Sequence, residues 1–113
     1  MSAERRKSPR YAVDLAAELS RAGVPEPARV KDICRDAALV EAAADANEGT
    51  MVGLVVKLSR SSSVELKGRV IRRAGRAGDA HAFAVLFGDV DPAAATEIEV
   101  LLARVEREGT ART

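Results

Sequence analysis

The sequence predicts a mostly β fold: a barrel or sandwich of six short strands, followed by a single helix at the carboxyl end. Three observations lead there. Apolar and polar residues alternate at period two along several stretches, the signature of half-buried strands. Clusters of Gly, Pro, Asn and Asp recur every ten or so residues between those stretches, as in all-β barrels and sandwiches. Helical spacing of the apolar residues begins only after Asp91.

Residues 1–10 carry Arg5, Arg6, Lys7, Arg10 and Pro9 and have almost nothing to bury. Proline removes a backbone donor and biases Ser8 away from helix, so this segment reads as an extended basic arm ahead of a domain at 11–108. In residues 11–19, Val13, Leu15, Ala17 and Leu19 alternate with Asp14, Ala16 and Glu18, which gives the first strand. Residues 21–27 (RAGVPEP) contain one glycine and two prolines and read as a loop. A second strand follows at 28–34 with Val30 and Ile33 apolar, interrupted by Arg35 and Asp36, and a third at 38–42.

The polar run 45–50 is a turn, and the β-branched run 51–58 (MVGLVVKL) is the clearest strand of the chain. After a short polar connection at 60–63, Val64, Leu66, Gly68 and Val70 fall on one side of a fifth strand. Glu65, Lys67, Arg69 and Ile71 fall on the other. Residues 75–79 (GRAGD) form a turn and 82–87 (AFAVLF) the last strand. Asp91 and Pro92 then make a helix start, cap and first residue. Ile98, Leu101, Leu102 and Val105 recur at the spacing of one helix face, and Gly109 is the expected stop. That apolar stripe is expected to pack on the sheet, with a helix-to-helix homodimer contact as the lesser alternative.

Composition narrows the function. With 113 residues, one modest core is expected. Eighteen basic residues against seventeen acidic leave a net charge of +1, and the aromatics are only Tyr11, Phe83 and Phe87. A nucleic-acid coat needs more positive charge, and a base-stacking platform more rings, so nucleic acid is not the expected partner. Cys34 is the only cysteine, which excludes an intrachain disulfide or a cysteine-rich zinc site. No signal-like apolar stretch follows the basic start, and none reaches the roughly 20 residues that span a bilayer. The expected location is the cytoplasm, with no membrane contact.

No catalytic constellation is present. Ser61, Ser62 and Ser63 lack any nucleophile motif, His81 stands alone, and there is neither a paired carboxylate nor a phosphate-cradling glycine loop. An enzyme is not expected, nor a cofactor or metal.

What remains is Arg5-Arg6-x-x-x-Arg10 just before the first strand, and Asp32-Ile33-Cys34-Arg35-Asp36-Ala37 at the end of the second. In these residues the chain resembles the PilZ domain family, whose signature is an Arg-x-x-x-Arg arm followed by Asp/Asn-x-Ser-x-x-Gly. The later layout is similar too: Gly68-Arg69-Val70, a strand ending in Phe87, and a terminal helix. Cys34 stands where the family has Ser, Ala37 where it has Gly, and Ala84 where a Gly-x-x-Phe strand has its glycine.

The resemblance implies a six-stranded antiparallel PilZ-type β-barrel with a C-terminal helix. It also implies a signalling module that binds cyclic di-GMP through Arg5, Arg6, Arg10, Asp32, Cys34 and Ala37, and passes the signal to a downstream protein. The chemistry agrees: guanidinium groups fork onto phosphate oxygens and onto guanine O6 and N7. A carboxylate accepts from guanine N1 and N2, as no arginine can. The thiol weakens a direct contact by about 0.5–1.5 kcal/mol. An alanine forced to positive φ adds roughly 1–2 kcal/mol. The alternative implied by these replacements is a degenerate adaptor that keeps the barrel and works through protein contacts alone.

Overall fold

Alternating apolar side chains are buried together when the sheet curls around them into a barrel. In the computed structural model, which describes residues 10–107, the strands are Tyr11–Arg21 (β1), Val24–Ile33 (β2), Ala37–Ala42 (β3), Met51–Ser59 (β4), Ser62–Ala77 (β5) and Ala80–Phe87 (β6), followed by the helix Pro92–Arg107 (α1). Every pairing is antiparallel, and the order β1-β2-β3-β6-β5-β4 closes into a barrel. The expected mostly β fold with one terminal helix is what forms. Gly109 lies outside the described residues.

The interior is aliphatic. Leu19, Val30, Ile33, Val40, Leu54, Val56, Val70, Phe83 and Val85 point inward and are essentially inaccessible. Each such side chain stabilises by about 1.5–3 kcal/mol on burial. No charged or polar residue among those described is buried, and no buried side-chain polar atom lacks a partner. Gly68 sits on this inner row of β5, opposite Phe87. A Cβ there would fall 2.5 Å from Leu86 O and 2.6 Å from Val85 Cγ1. Only glycine lets β5 and β6 approach this closely.

The barrel closes through its shortest pairing, residues 17–20 of β1 against 53–56 of β4. Helix α1 lies against β1, β4 and β5, the strands around that seam. Its Ala94, Ile98, Leu101 and Leu102 are buried, and Val105 packs partly against the core, so the expected stripe is the contact face. Asp91 caps the helix as anticipated, its carboxylate accepting from Ala93 N–H at 3.1 Å. Arg104 donates to Leu58 O at 3.1 Å and ties the last turn to the end of β4.

Two expected loops are shorter than their composition suggests. Of residues 21–27, only Ala22 and Gly23 turn, at φ 52° and 82°. Positive φ at both central residues is the hairpin turn that matches strand twist. Residues 24–27 continue as strand despite two prolines, because Pro25 opposes Ser20 and Pro27 opposes Glu18 at alternate positions, whose missing N–H would point away from β1. On that side β3 pairing starts only at Ala28. Likewise, the turn in 75–79 is confined to Gly78 and Asp79, with φ 63° at Gly78, while Gly75 (φ 95°) sits at a bulge inside β5.

The connection after β3 is held by ion pairs. Arg21 pairs with Glu26 at 3.0 Å and donates to the carbonyls of Ala44 (2.9 Å) and Asp45. The Asp45 carboxylate accepts from Ala46 N–H at 2.8 Å and pairs with Arg73, with His81 Nδ1 3.8 Å away. Partial burial pushes its pKa up, but the hydrogen bonds from Arg73 and Ala46 outweigh this and hold it below the ordinary value of 3.8.

Gly68→Ala should destabilise the fold by about 1–3 kcal/mol through overpacking, read from urea or thermal unfolding. Asp45→Asn should lower the unfolding midpoint at neutral pH. A depressed folded-state pKa stabilises above the unfolded value and is lost as pH falls through the folded one. The difference between the two proteins should therefore narrow as the pH drops below 3.8.

Candidate functional site

Register carries Asp32 to the outside of the barrel. Across four pairings it lies in one row: Ala12 (β1), Asp32 (β2), Leu39 (β3), Ala84 (β6) and Arg72 (β5). Directly opposed residues share a face of the sheet. The neighbouring row of Ile33, Ala38, Val85 and Val70 is buried, so the Asp32 row faces outward. The next outward row holds Ala37, Leu86 and Arg69. Together these rows carry Leu39, Ala84, Ala37 and Leu86 on the outer surface of the barrel. Half-buried Asp32 stands among them.

The tight turn between β2 and β3 is closed by Cys34 N–H donating to Ala37 O at 2.9 Å, and Phe87 N–H donates to Asp36 O at 2.8 Å. Ala37 is not at positive φ; Ala22 is the one non-glycine residue so placed among those described. The backbone enters β3 directly, so the strain expected of alanine at a glycine position does not arise in this fold.

Cys34 is 5% exposed, and its thiol donates to Asp36 Oδ1 at 3.3 Å. Burial pushes the thiol pKa above 9.0, and the adjacent Asp36 carboxylate adds to the rise. Cys34 is therefore a packed, protonated thiol whose one donor is already used. Arg35 pairs with Glu99 of α1 at 2.7 Å.

Arg10 is exposed and directly precedes Tyr11, which opposes Ile33. The end of the basic arm thus enters beside the strand end that carries Asp32, Cys34 and Ala37. Arg5 and Arg6 lie outside the described residues. Two other cations near Asp32 are committed elsewhere: Asp14 accepts from Arg29 at 2.7 Å and lies 3.3 Å from Lys31. The Arg29 hydrogen bond, with that of Lys31, lowers the Asp14 pKa. Sequence reasoning did not single out Arg69 and Arg72. Alternation put Arg69 on the polar side, but the face of Arg72 depends on a bulge at Ile71, which has no pattern signal. No cluster of metal-ligating side chains occurs among the described residues, and no helix there is long and apolar enough to cross a membrane.

The PilZ domain family model matches residues 4–104. Solved structures of similar fold include the Klebsiella pneumoniae MrkH–c-di-GMP complex, with TM-score 0.79 and 15% identity over 96% of this chain and 56% of that one. The Bacillus subtilis inhibitor of motility MotI/DgrA gives TM-score 0.75 and 15% identity over 96% and 53%. The PilZ domain of Escherichia coli YcgR with c-di-GMP gives TM-score 0.70 and 15% identity over 96% and 99%. The chain spans about half the length of MrkH and MotI. No curated protein sequence matches it.

Because its thiol is buried and protonated, Cys34 in the folded chain should react with iodoacetamide at least ~100-fold more slowly than in urea. Equal rates, measured by mass spectrometry, would show that the β2–β3 turn opens freely.

Proposed function

The chain belongs to the PilZ domain family, and from that premise we propose that it is a cytoplasmic binding module for cyclic di-GMP, not an enzyme. The observation that carries this reading is the placement of Asp32 on an outward row, beside the strand end where Arg10 brings in the arm. Arg5, Arg6 and Arg10 would fork onto the phosphates and onto guanine O6 and N7. Asp32 would accept from guanine N1 and N2. Ala37 lines the same face. Cys34 supports the turn from beneath, with its donor held by Asp36. The arm would fold over the face when the dinucleotide binds and present a changed surface to a downstream protein.

A weakened contact at Cys34 corresponds to about two- to tenfold in affinity. Ala37 adds bulk but no backbone strain, so binding survives in this reading. The engaged thiol of Cys34 also motivates the second reading, a degenerate adaptor that no longer takes the nucleotide and acts through protein contacts.

Calorimetric titration with cyclic di-GMP separates the two. The binding module gives saturable heat that Arg10→Ala or Asp32→Ala weakens about 5- to 150-fold. The adaptor gives no heat at hundreds of micromolar, while the combined Cys34→Ser and Ala37→Gly variant gains binding that the parent lacks.

A further inference from the structure

The apolar stripe of α1 already packs on the core, but the sheet keeps an open outer face at the closure seam. Leu19, Leu54 and Leu66 form a buried row across β1, β4 and β5. The rows on either side of it therefore face outward: Glu18, Val55 and Glu65 in one, Ser20, Gly53 and Lys67 in the other. Ser20, Gly53 and Val55 are half-buried, and Glu18, Glu65 and Lys67 are exposed.

Gly53 is a glycine that the fold does not ask for. Its φ is not positive, and β4 runs past it without a bulge. A Cβ there would meet its nearest non-neighbouring atom, Ser20 Cβ, at an ordinary 3.9 Å. Glycine weakens a strand interior, and where no bulge or bend explains it, it marks a close approach by a ligand or another chain. The missing side chain leaves a groove of about 440 Å³, bounded by Ser20, Val55, Glu65, Lys67 and the loop at 89–91.

The two outward rows are complementary to each other. A two-fold axis lying across the strands at Leu54 lays one row of each copy on the other row of its partner. Val55 then stands over the partner's Gly53, Glu65 against the partner's Lys67, and Glu18 against the partner's Ser20, each of them twice. An isopropyl group enters the depression, a carboxylate meets an ammonium, and a carboxylate accepts from a hydroxyl. Farther out, the stem of Lys57 covers the partner's Met51, an apolar side chain 63% exposed in the single chain. An axis along the strands would instead set Glu18 against the partner's Glu65, which like-charge repulsion opposes.

We propose that this face joins two copies of the chain back to back, with their sheets packed antiparallel. The surface is small, so the dimer belongs to the weak, transient class. It does not rest on nucleotide binding. It leaves the row of Asp32, Leu39 and Ala84 on β2, β3 and β6 uncovered in both copies, so that each pair presents that row twice.

Sedimentation of the full chain without nucleotide, from about 10 µM to about 1 mM, tests this. The parent should pass from monomer towards dimer across that range. Glu65→Lys or Lys67→Glu alone sets like charges together at both places and should weaken the dimer at least ~10-fold. An equimolar mixture of these two single variants rebuilds both ion pairs and should dimerise again. Gly53→Val fills the depression and should give a monomer with an unfolding midpoint no lower than the parent's. A parent that stays monomeric throughout overturns the inference and leaves the groove to a different chain. So does a mixture no more associated than its separate components, because the contact then lies on another face.

Discussion

Closure of the sheet at the short β1–β4 seam is the interaction on which the rest of the molecule depends. Residues 17–20 and 53–56 are all that join the first strand to the fourth, yet without them the sheet would present two bare edges and an open, aliphatic interior. Once closed, it has a single inside, filled by side chains such as Leu19, Leu54 and Phe83. Helix α1 reinforces this place. It sets Ile98, Leu101 and Leu102 against the strands that meet there and is locked at both ends, by the Asp91 cap and by Arg104 on Leu58.

Closure also creates the candidate site. In a closed antiparallel sheet each register row has a defined inner or outer side, so inward-facing Ile33 and Val85 oblige Asp32 and Ala84 to face out. The β5–β6 register likewise sets Arg69 opposite Leu86 and Arg72 opposite Ala84. The core and the outward row of Asp32 are two sides of one set of pairings. A substitution that shifted the β3–β6 register by one residue would exchange them.

Charge is distributed with similar economy. Among the described residues some arginines are neutralised locally by carboxylates: Arg21 at Glu26, Arg29 at Asp14, Arg35 at Glu99 and Arg73 at Asp45. Such exposed pairs contribute little stability individually, but they keep positive charge from spreading over the whole surface. Arg10, Arg69 and Arg72 have no such pair among the described residues, and neither do Arg60, Arg76 and Arg107 elsewhere on the surface.

The residues alone determined the strand content, the approximate elements, the inward set of β5, the capped helix and its buried stripe, because these follow from periodicities of two and 3.6 that local chemistry imposes. Their resemblance to the PilZ family also marked Arg5, Arg6, Arg10, Asp32, Cys34 and Ala37 as one constellation. Only the tertiary structure decided what depends on pairing between distant strands. Pro25 and Pro27 stay in a strand because their alternate positions face away from β1, and Cys34 is buried against Asp36 rather than offered to solvent. Ala37 escapes strain because the turn takes another course. Arg72 reaches the face of Asp32 through a bulge and three intervening pairings. Register is a non-local quantity, set when one face of every strand must find the same core, and no window of sequence contains it.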